Sequence, residues 1–223
     1  MIPLKDDVPK VRVRFPIFML LLLISNIIVF IYEMSLSQSG LNRLISNYGA
    51  IPLFITRGEN LYTLFSAMFL HGGFDHIIGN MLYLWIFADN VEDALGHFWF
   101  IIMYFLAGLA GSFLHILMAR DSAVPMIGAS GAISGVLGSY LIFFPTARIL
   151  ALVPFGFFLR IVYLPAYLFL GFWILLQFIY GFASLPGVKG GGIAFFAHIG
   201  GFLIGVLWGL LFRQRVKKVE RGF

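Results

Sequence analysis

Residues 128–139 have the sequence Gly-Ala-Ser-Gly-Ala-Ile-Ser-Gly-Val-Leu-Gly-Ser, within a run from 122 to 147 that carries no charged residue. A charge-free run of this length is typical of a helix that crosses a membrane. Polar groups are costly in the hydrocarbon of a bilayer, so Ser130 marks either helix packing or a functional site. Gly131, Gly135 and Ser139 recur at four-residue intervals, a spacing that lets membrane helices approach closely.

The composition outside this stretch is also that of a membrane protein. The chain has 61% hydrophobic and 11% charged residues, with a mean hydropathy of +0.96, far from the values of soluble domains. It contains no cysteine, which excludes disulfides, thiol catalysis and cysteine-based metal sites. The net charge is +5, but the basic residues lie at the ends of apolar runs and form no patch for nucleic acid. We expect neither a metal nor a cofactor.

The apolar runs predict an all-α fold, a polytopic bundle of six transmembrane helices. We place the spans at roughly 15–33, 76–91, 98–119, 127–144, 163–182 and 194–212. The second of them is short enough to be re-entrant instead. The resulting domain organisation is a cytoplasmic segment at 1–14, a membrane domain at 15–212 with a large outer loop at about 34–74, and a basic cytoplasmic tail at 213–223.

The basic residues predict the orientation. Eleven of the fifteen lysines and arginines fall on the side of the two termini, and such an excess marks the cytoplasmic side. The four on the other side are Arg43, Arg57, Arg120 and Lys189. We therefore expect an integral protein of a prokaryotic cell membrane, with both termini in the cytoplasm.

The direction of the even-numbered spans places four polar residues at a similar depth in the membrane. Spans two, four and six run in the same direction, so His76, Asn80, Ser130 and His198 all lie near their outer ends. Span six carries small residues at four-residue intervals, namely Ala197, Gly201, Gly205 and Gly209. Packing of the two small faces would place Ser130 within hydrogen-bond reach of His198, as a serine activated by a general base requires. The alternative is that the small residues serve helix packing alone.

Other polar residues in the spans have structural explanations. Serines in membrane helices usually bond to the carbonyl four residues earlier, and we expect this of Ser112, Ser134 and Ser139; His97 and His115 are also expected to be structural. A His-Glu-x-x-His zinc motif is absent, and no pair of aspartates lies within the spans. A transporter would show buried charges or broken helices. Serine hydrolysis explains the pattern best.

Four motifs in order resemble the rhomboid family of intramembrane serine proteases, over about residues 60–212. They are Met68-Phe-Leu-His71-Gly-Gly, His76-x-x-x-Asn80, Gly128-Ala-Ser130-Gly131-Ala and Ala197-His198-Ile-Gly-Gly. The resemblance implies that Ser130 is the nucleophile and His198 its base, with no carboxylate partner. It also implies that His76, Asn80 and the Ser130 backbone N–H form the oxyanion hole, supported by Gly128, Gly131 and His71.

The resemblance also implies the class of substrate, and this sequence departs from the family pattern at two places. Substrates would be transmembrane segments of other proteins, which would enter the site sideways from the lipid bilayer. The active site would open to the outer side of the membrane. Tyr62-Thr63 stands where the family often has Trp-Arg, and Ser134 where many members have an aromatic that stacks on the histidine. Tyr140 and Phe196 are candidates to replace that aromatic. The alternative function is a non-proteolytic rhomboid-like binding or chaperone factor, and the oligomeric state is not predicted.

Overall fold

The structure is a computed structural model that describes residues 1–11, 15–156, 158–184 and 194–220. Helices account for most of these residues. In chain order the elements are β1 Ile2–Asp6, α1 Ile17–Ser35, α2 Gln38–Tyr48, α3 Pro52–Ile55, α4 Thr63–Ser66 with a 3₁₀ turn at Ala67–Phe69, α5 Phe74–Leu95, α6 His97–Met118, α7 Ser130–Phe143, β2 Arg148–Phe155, β3 Phe158–Pro165, α8 Ala166–Ala183 and α9 Phe195–Glu220.

Within the described part of the chain, four helices are long and apolar enough to cross a membrane: α1, α6, α8 and α9 as far as Gln214. The other two predicted spans differ from them. Helix α7 is apolar but has only 14 residues, and α5 carries four carboxylates, on Asp75, Asp89, Glu92 and Asp93. The six-span count therefore stays a prediction.

Helices α6, α7 and α9 pack against one another through small residues. A Cβ atom added to Gly201 would lie 1.9 Å from the carbonyl oxygen of Gly131, and one added to Gly205 would lie 1.9 Å from that of Gly135. Only glycine allows this approach, so the predicted contact between the small faces of α7 and α9 is confirmed. Ser139 strengthens it by donating from Oγ to the Gly205 carbonyl at 2.9 Å.

Two of the predictions for structural serines can be compared with the structure. Ser134 donates from Oγ to the Ser130 carbonyl at 2.6 Å, the expected bond to the fourth preceding residue. The same expectation for Ser139 is wrong, because its hydroxyl reaches across to α9. Close packing of α7 on α9 brings the Gly205 carbonyl of α9 within hydrogen-bond distance of the Ser139 hydroxyl.

The all-α prediction is wrong at one end of the bundle, where three strands form an antiparallel sheet in the order β1-β2-β3. Strands β2 and β3 lie between the predicted spans four and five, and the end of β3, at 163–165, takes the place of the predicted start of span five. Helix α8 begins at Ala166, directly after Pro165. A short apolar run can form a strand as well as a helix, and Gly156, with a φ of +60°, supplies the turn signal between the strands.

The segment predicted at 1–14 is tied to this sheet. Strand β1 pairs with β2, and the Asp6 carboxylate accepts hydrogen bonds from Asn90 Nδ2 and the Tyr140 hydroxyl, both at 2.6 Å. Lys10 forms an ion pair with Asp89. Arg12 and Arg14 lie outside the described residues.

Two further features occur at this sheet end of the bundle. The buried Glu92 carboxylate accepts the backbone N–H groups of Phe18 and Met19 at 3.0 and 2.7 Å and contacts His97 Nδ1 at 2.6 Å, so His97 takes part in a structural contact, as expected. Helix α9 continues to Glu220, beyond the predicted span end at 212. Most of the predicted basic tail at 213–223 is thus helical, and 221–223 lie outside the described residues.

Candidate active site

Ser130 is the first residue of α7, and its Oγ lies 2.8 Å from His198 Nε2. The approach is set by α9, whose first turn holds His198 while Ala197 packs against α6. A Cβ atom on Gly111 of α6 would lie 2.4 Å from the Ala197 carbonyl oxygen. The backbone N–H of Ser130 lies in the first turn of a helix, where no carbonyl four residues earlier is available. The two residues singled out from the sequence therefore meet.

The other nitrogen of His198 is held by Gln177 of α8. His198 Nδ1 lies 2.8 Å from Gln177 Oε1, and Gln177 Nε2 donates to the Trp173 carbonyl at 3.3 Å. An amide oxygen only accepts, so Nδ1 carries the proton and donates. The Nε2 lone pair of the neutral imidazole is then free to accept from the Ser130 hydroxyl.

Aromatic rings from α8 and α9 enclose His198. The Trp173 ring lies 5.8 Å from the imidazole at an interplanar angle of 33°, and Phe195 lies 6.5 Å away, edge on. The two aromatic residues that the sequence offered to orient His198 make other contacts. Tyr140 bonds to Asp6 at the sheet end, and the Phe196 ring packs on Phe182. Gln177 was not singled out from the sequence, although a glutamine in an apolar helix is the same kind of signal as Ser130, and Trp173 was not among the candidates to orient His198.

His76 and Asn80 of α5 face the glycine that precedes the serine. A Cβ atom on Gly128 would lie 2.6 Å from His76 Nε2 and 3.6 Å from Asn80 Nδ2, and Gly128 has a φ of +118°. His76 Nδ1 accepts the Gly72 N–H at 3.3 Å, so the proton of the neutral ring is on Nε2, the atom that faces Gly128. Two side-chain donors thus surround the backbone beside Ser130.

His71 holds the amide of Asn80. Asn80 Nδ2 donates to His71 Nε2 at 2.9 Å, and His71 Nδ1 lies 3.3 Å from the Phe69 carbonyl oxygen. Burial, and then the neighbouring His76, lower the pKa of His71 to about 4, which keeps the ring neutral and able to accept at Nε2. One N–H of Asn80 remains for another acceptor.

The connection between α1 and α5 is anchored without the arginine that the family often has. Thr63 is buried and donates to the Asn60 carbonyl at 2.7 Å. Tyr62 donates from its hydroxyl to the Asn47 carbonyl at 2.8 Å. The His71 N–H points to the buried Glu33 carboxylate of α1, at 3.1 Å from Oε1. Glu33 is another residue that was not singled out from the sequence.

No group of three His, Asp or Glu side chains within the described ranges is arranged to hold a metal ion. The site consists of a hydroxyl, an imidazole, amide and imidazole N–H donors, and a free helix N-terminus. These are the groups that nucleophilic acyl transfer uses.

The fold and the site define an integral membrane protein with a hydrogen-bonded serine and histidine inside its helix bundle. The sequence pattern of the rhomboid domain matches residues 58–215. The chain therefore belongs to the rhomboid family.

Named relatives span three kinds of organism. Rhomboid protein 1, mitochondrial, from Saccharomyces cerevisiae is 32% identical over 161 residues, 70% of this chain and 43% of the relative. RHOMBOID-like protein 1 from Arabidopsis thaliana is 29% identical over 77% of this chain and 40% of the relative. Rhomboid protease GluP from Bacillus subtilis is 38% identical over 39% of this chain and 16% of its own length. The chain spans less than half of each of these relatives, and their range leaves the expectation of a prokaryotic cell membrane unsupported.

Proposed function

We propose that this protein is an intramembrane serine endopeptidase that hydrolyses peptide bonds in or near the transmembrane segments of other membrane proteins. The observation that carries the proposal is the 2.8 Å contact between Ser130 Oγ and His198 Nε2, in an imidazole whose other nitrogen donates to Gln177. This arrangement places a lone pair, not a proton, opposite the serine hydroxyl.

The chemistry proceeds in two acyl-transfer steps. Ser130 Oγ attacks the scissile carbonyl carbon while His198 Nε2 takes the hydroxyl proton. The tetrahedral intermediate collapses when the C–N bond breaks and His198 returns the proton to the leaving amine. Water then attacks the Ser130 ester, again losing a proton to His198, and the second collapse releases the carboxyl fragment and restores the serine hydroxyl.

The oxyanion formed in each step has donors in place. His76 Nε2–H, the remaining N–H of Asn80 and the Ser130 backbone N–H converge beside Gly128, where any side chain would collide with His76. The N-terminal end of α7 adds the positive end of its dipole. One donor aimed at a developing oxyanion contributes about 3–4 kcal/mol of transition-state stabilisation.

The short length of α7 supports cleavage below the membrane surface. A helix of 14 residues is ~21 Å long, against about 30 Å of hydrocarbon. If its sheet end lies at the cytoplasmic surface, Ser130 lies roughly 9 Å inside the outer boundary. The six-span topology with cytoplasmic termini belongs to the same proposal.

Substrate access is proposed from the side, between α5 and α8. These helices touch through Tyr83, Phe87 and Phe169, and Phe87 and Phe169 lie in the halves nearest the sheet. Trp85 of α5 and Phe172 of α8 are 56% and 47% exposed. A substrate helix would enter between the other halves and unwind locally, because a peptide bond inside a helix is shielded by its hydrogen bonds.

The test is labelling with a serine-directed fluorophosphonate. Wild type in detergent micelles should be labelled at Ser130, and Ser130→Ala should not be labelled, whereas Ser134→Ala keeps the label. Labelling of Ser130→Ala at another serine would overturn the assignment of the nucleophile. An unlabelled wild type that still binds single-span proteins would favour the non-proteolytic alternative.

A further inference from the structure

A groove of about 500 Å³ lies between α6 and the segments α3 and α4. Its lining is apolar along its length and ends in one arginine; it includes Ile55, Leu64, Leu109, Phe113, Leu117 and Arg120. Phe113 and Leu117 are 63% and 37% exposed. The α6 residues that pack on α7 and α9, Ala107 and Gly111 among them, are on another face, so the groove is separate from the candidate active site.

The groove has the depth of one leaflet. From Leu109 to the end of α6 at Met118 is ~14 Å along the helix, and the hydrocarbon of one leaflet is about half of 30 Å. Arg120 lies just beyond the end of α6 at Met118, where a spanning helix meets the headgroups. An acyl chain lying along α6 would therefore bring its own phosphate to Arg120.

Arg120 is available for a phosphate. Among the residues that the structure describes, no carboxylate lies within salt-bridge distance of its guanidinium. Arg120 lies between this groove and a neighbouring cavity that it lines together with Asp121, His115 and Ser184, and Asp121 does not line the groove. A guanidinium binds phosphate oxygens through two parallel hydrogen bonds, which an ammonium group cannot match.

We propose that this groove binds one anionic phospholipid, with an acyl chain against Leu109, Phe113 and Leu117 and the phosphate on Arg120. A net negative headgroup suits the site better than a zwitterionic one, because the latter brings its own cation next to the guanidinium. The site connects with Ser130 through the backbone: α4 leads into Ala67, whose carbonyl accepts the Gly128 N–H at 2.8 Å.

Native mass spectrometry of the full chain tests the binding. Phosphatidylglycerol and, separately, phosphatidylcholine are titrated into the purified protein, and bound lipids are counted. We expect Arg120→Gln to weaken phosphatidylglycerol binding about tenfold, the loss that a charge-assisted hydrogen bond accounts for. The matched control is Arg57→Gln, which removes an exposed arginine between α3 and α4 that does not line the groove. Its binding should equal that of wild type.

Photocrosslinking locates the acyl chain. Phosphatidylglycerol with a diazirine in one chain should label the peptide that contains 109–117, and Leu109→Trp, which fills the groove, should remove that label while the protein stays folded. Equal phosphatidylglycerol binding by wild type and Arg120→Gln, or crosslinks that map elsewhere, would overturn the proposal. Labelling of the groove by a single-span peptide that excludes the lipid would overturn it too, since it would assign the groove to a protein partner.

Discussion

Gln177 accepts a hydrogen bond from His198 Nδ1 at 2.8 Å, and its own amide nitrogen is held by the Trp173 carbonyl. This relationship fixes the tautomer of the histidine without a carboxylate. A neutral acceptor also avoids placing a second charge in the bundle, which would be costly in hydrocarbon. It answers the question raised by Ser134, which leaves no aromatic one turn after the serine to orient the imidazole.

Replacing Gln177 by Met should therefore lower the rate of cleavage about tenfold, the value of one net hydrogen bond of roughly 1.4 kcal/mol. The expected change is in kcat, measured with a reporter helix in proteoliposomes. Gln177→Glu keeps an acceptor and should recover part of the rate. Ser184→Ala, at the end of the same helix, is the control. Unchanged kcat in Gln177→Met with an unchanged melting temperature would show that the contact does not orient His198.

His76→Ala and Asn80→Ala should each lower kcat by about 10²–10³ with little change in KM. Both donors would act on charge that exists only in the transition state. Steady-state kinetics at several reporter densities in the bilayer separate the two constants. A rise in KM at constant kcat would mean that these residues bind substrate and do not stabilise the oxyanion.

Gly201→Ala should destabilise the fold and reduce activity. Its methyl group would collide with the backbone of α7 at Gly131, and forcing two packed backbones apart costs at least about 1–3 kcal/mol. Gly171→Ala is the matched control, because a Cβ atom there has no neighbour within 4 Å and alanine favours the helix. Thermal unfolding in detergent compares the two. Equal melting temperatures would contradict the close approach of α7 and α9.

Asp6 should make the stability of the sheet end depend on pH. Burial raises the pKa of Asp6 to about 6 from an ordinary 3.8, against the opposing effect of the Tyr140 hydrogen bond. The folded protein then binds more protons than the unfolded chain between these values, so this contribution is complete below about pH 4 and is lost as the pH rises through about 6. Asp6→Asn should remove that part of the dependence. From pH 4 to 7 the melting temperature of wild type should fall relative to that of Asp6→Asn. A difference between the two melting temperatures that stays constant with pH would be inconsistent with a raised pKa.

The sequence was informative where local spacing determines contact. Small residues at every fourth position of α7 and α9 predicted that these helices pack backbone to backbone, and the direction of the even-numbered spans, together with the family resemblance, then predicted that Ser130 meets His198. Family resemblance added the oxyanion role of His76 and Asn80, whose side chains lie beside Gly128.

What the sequence left undetermined depends on distant partners. Residues 148–165 are a largely apolar stretch, and nothing in their own pattern shows that strand β2 pairs with Ile2–Asp6, more than 140 positions away. The bond between Asp6 and Tyr140 has the same origin. Gln177 was visible as a polar residue in an apolar run, but nothing in its spacing connected it to His198. Glu33 was missed for the same reason.

The most direct test of the account is cleavage of a single-span reporter in proteoliposomes by wild type, Ser130→Ala and His198→Ala, with Ser134→Ala and His115→Asn as matched controls. The account predicts cleavage by wild type and by both controls, at a bond within or next to the reporter's transmembrane segment, and none by Ser130→Ala or His198→Ala, with all five proteins folded. Full cleavage by either dyad variant, or no cleavage by a folded wild type of any reporter with a helix-weakening sequence, would contradict it.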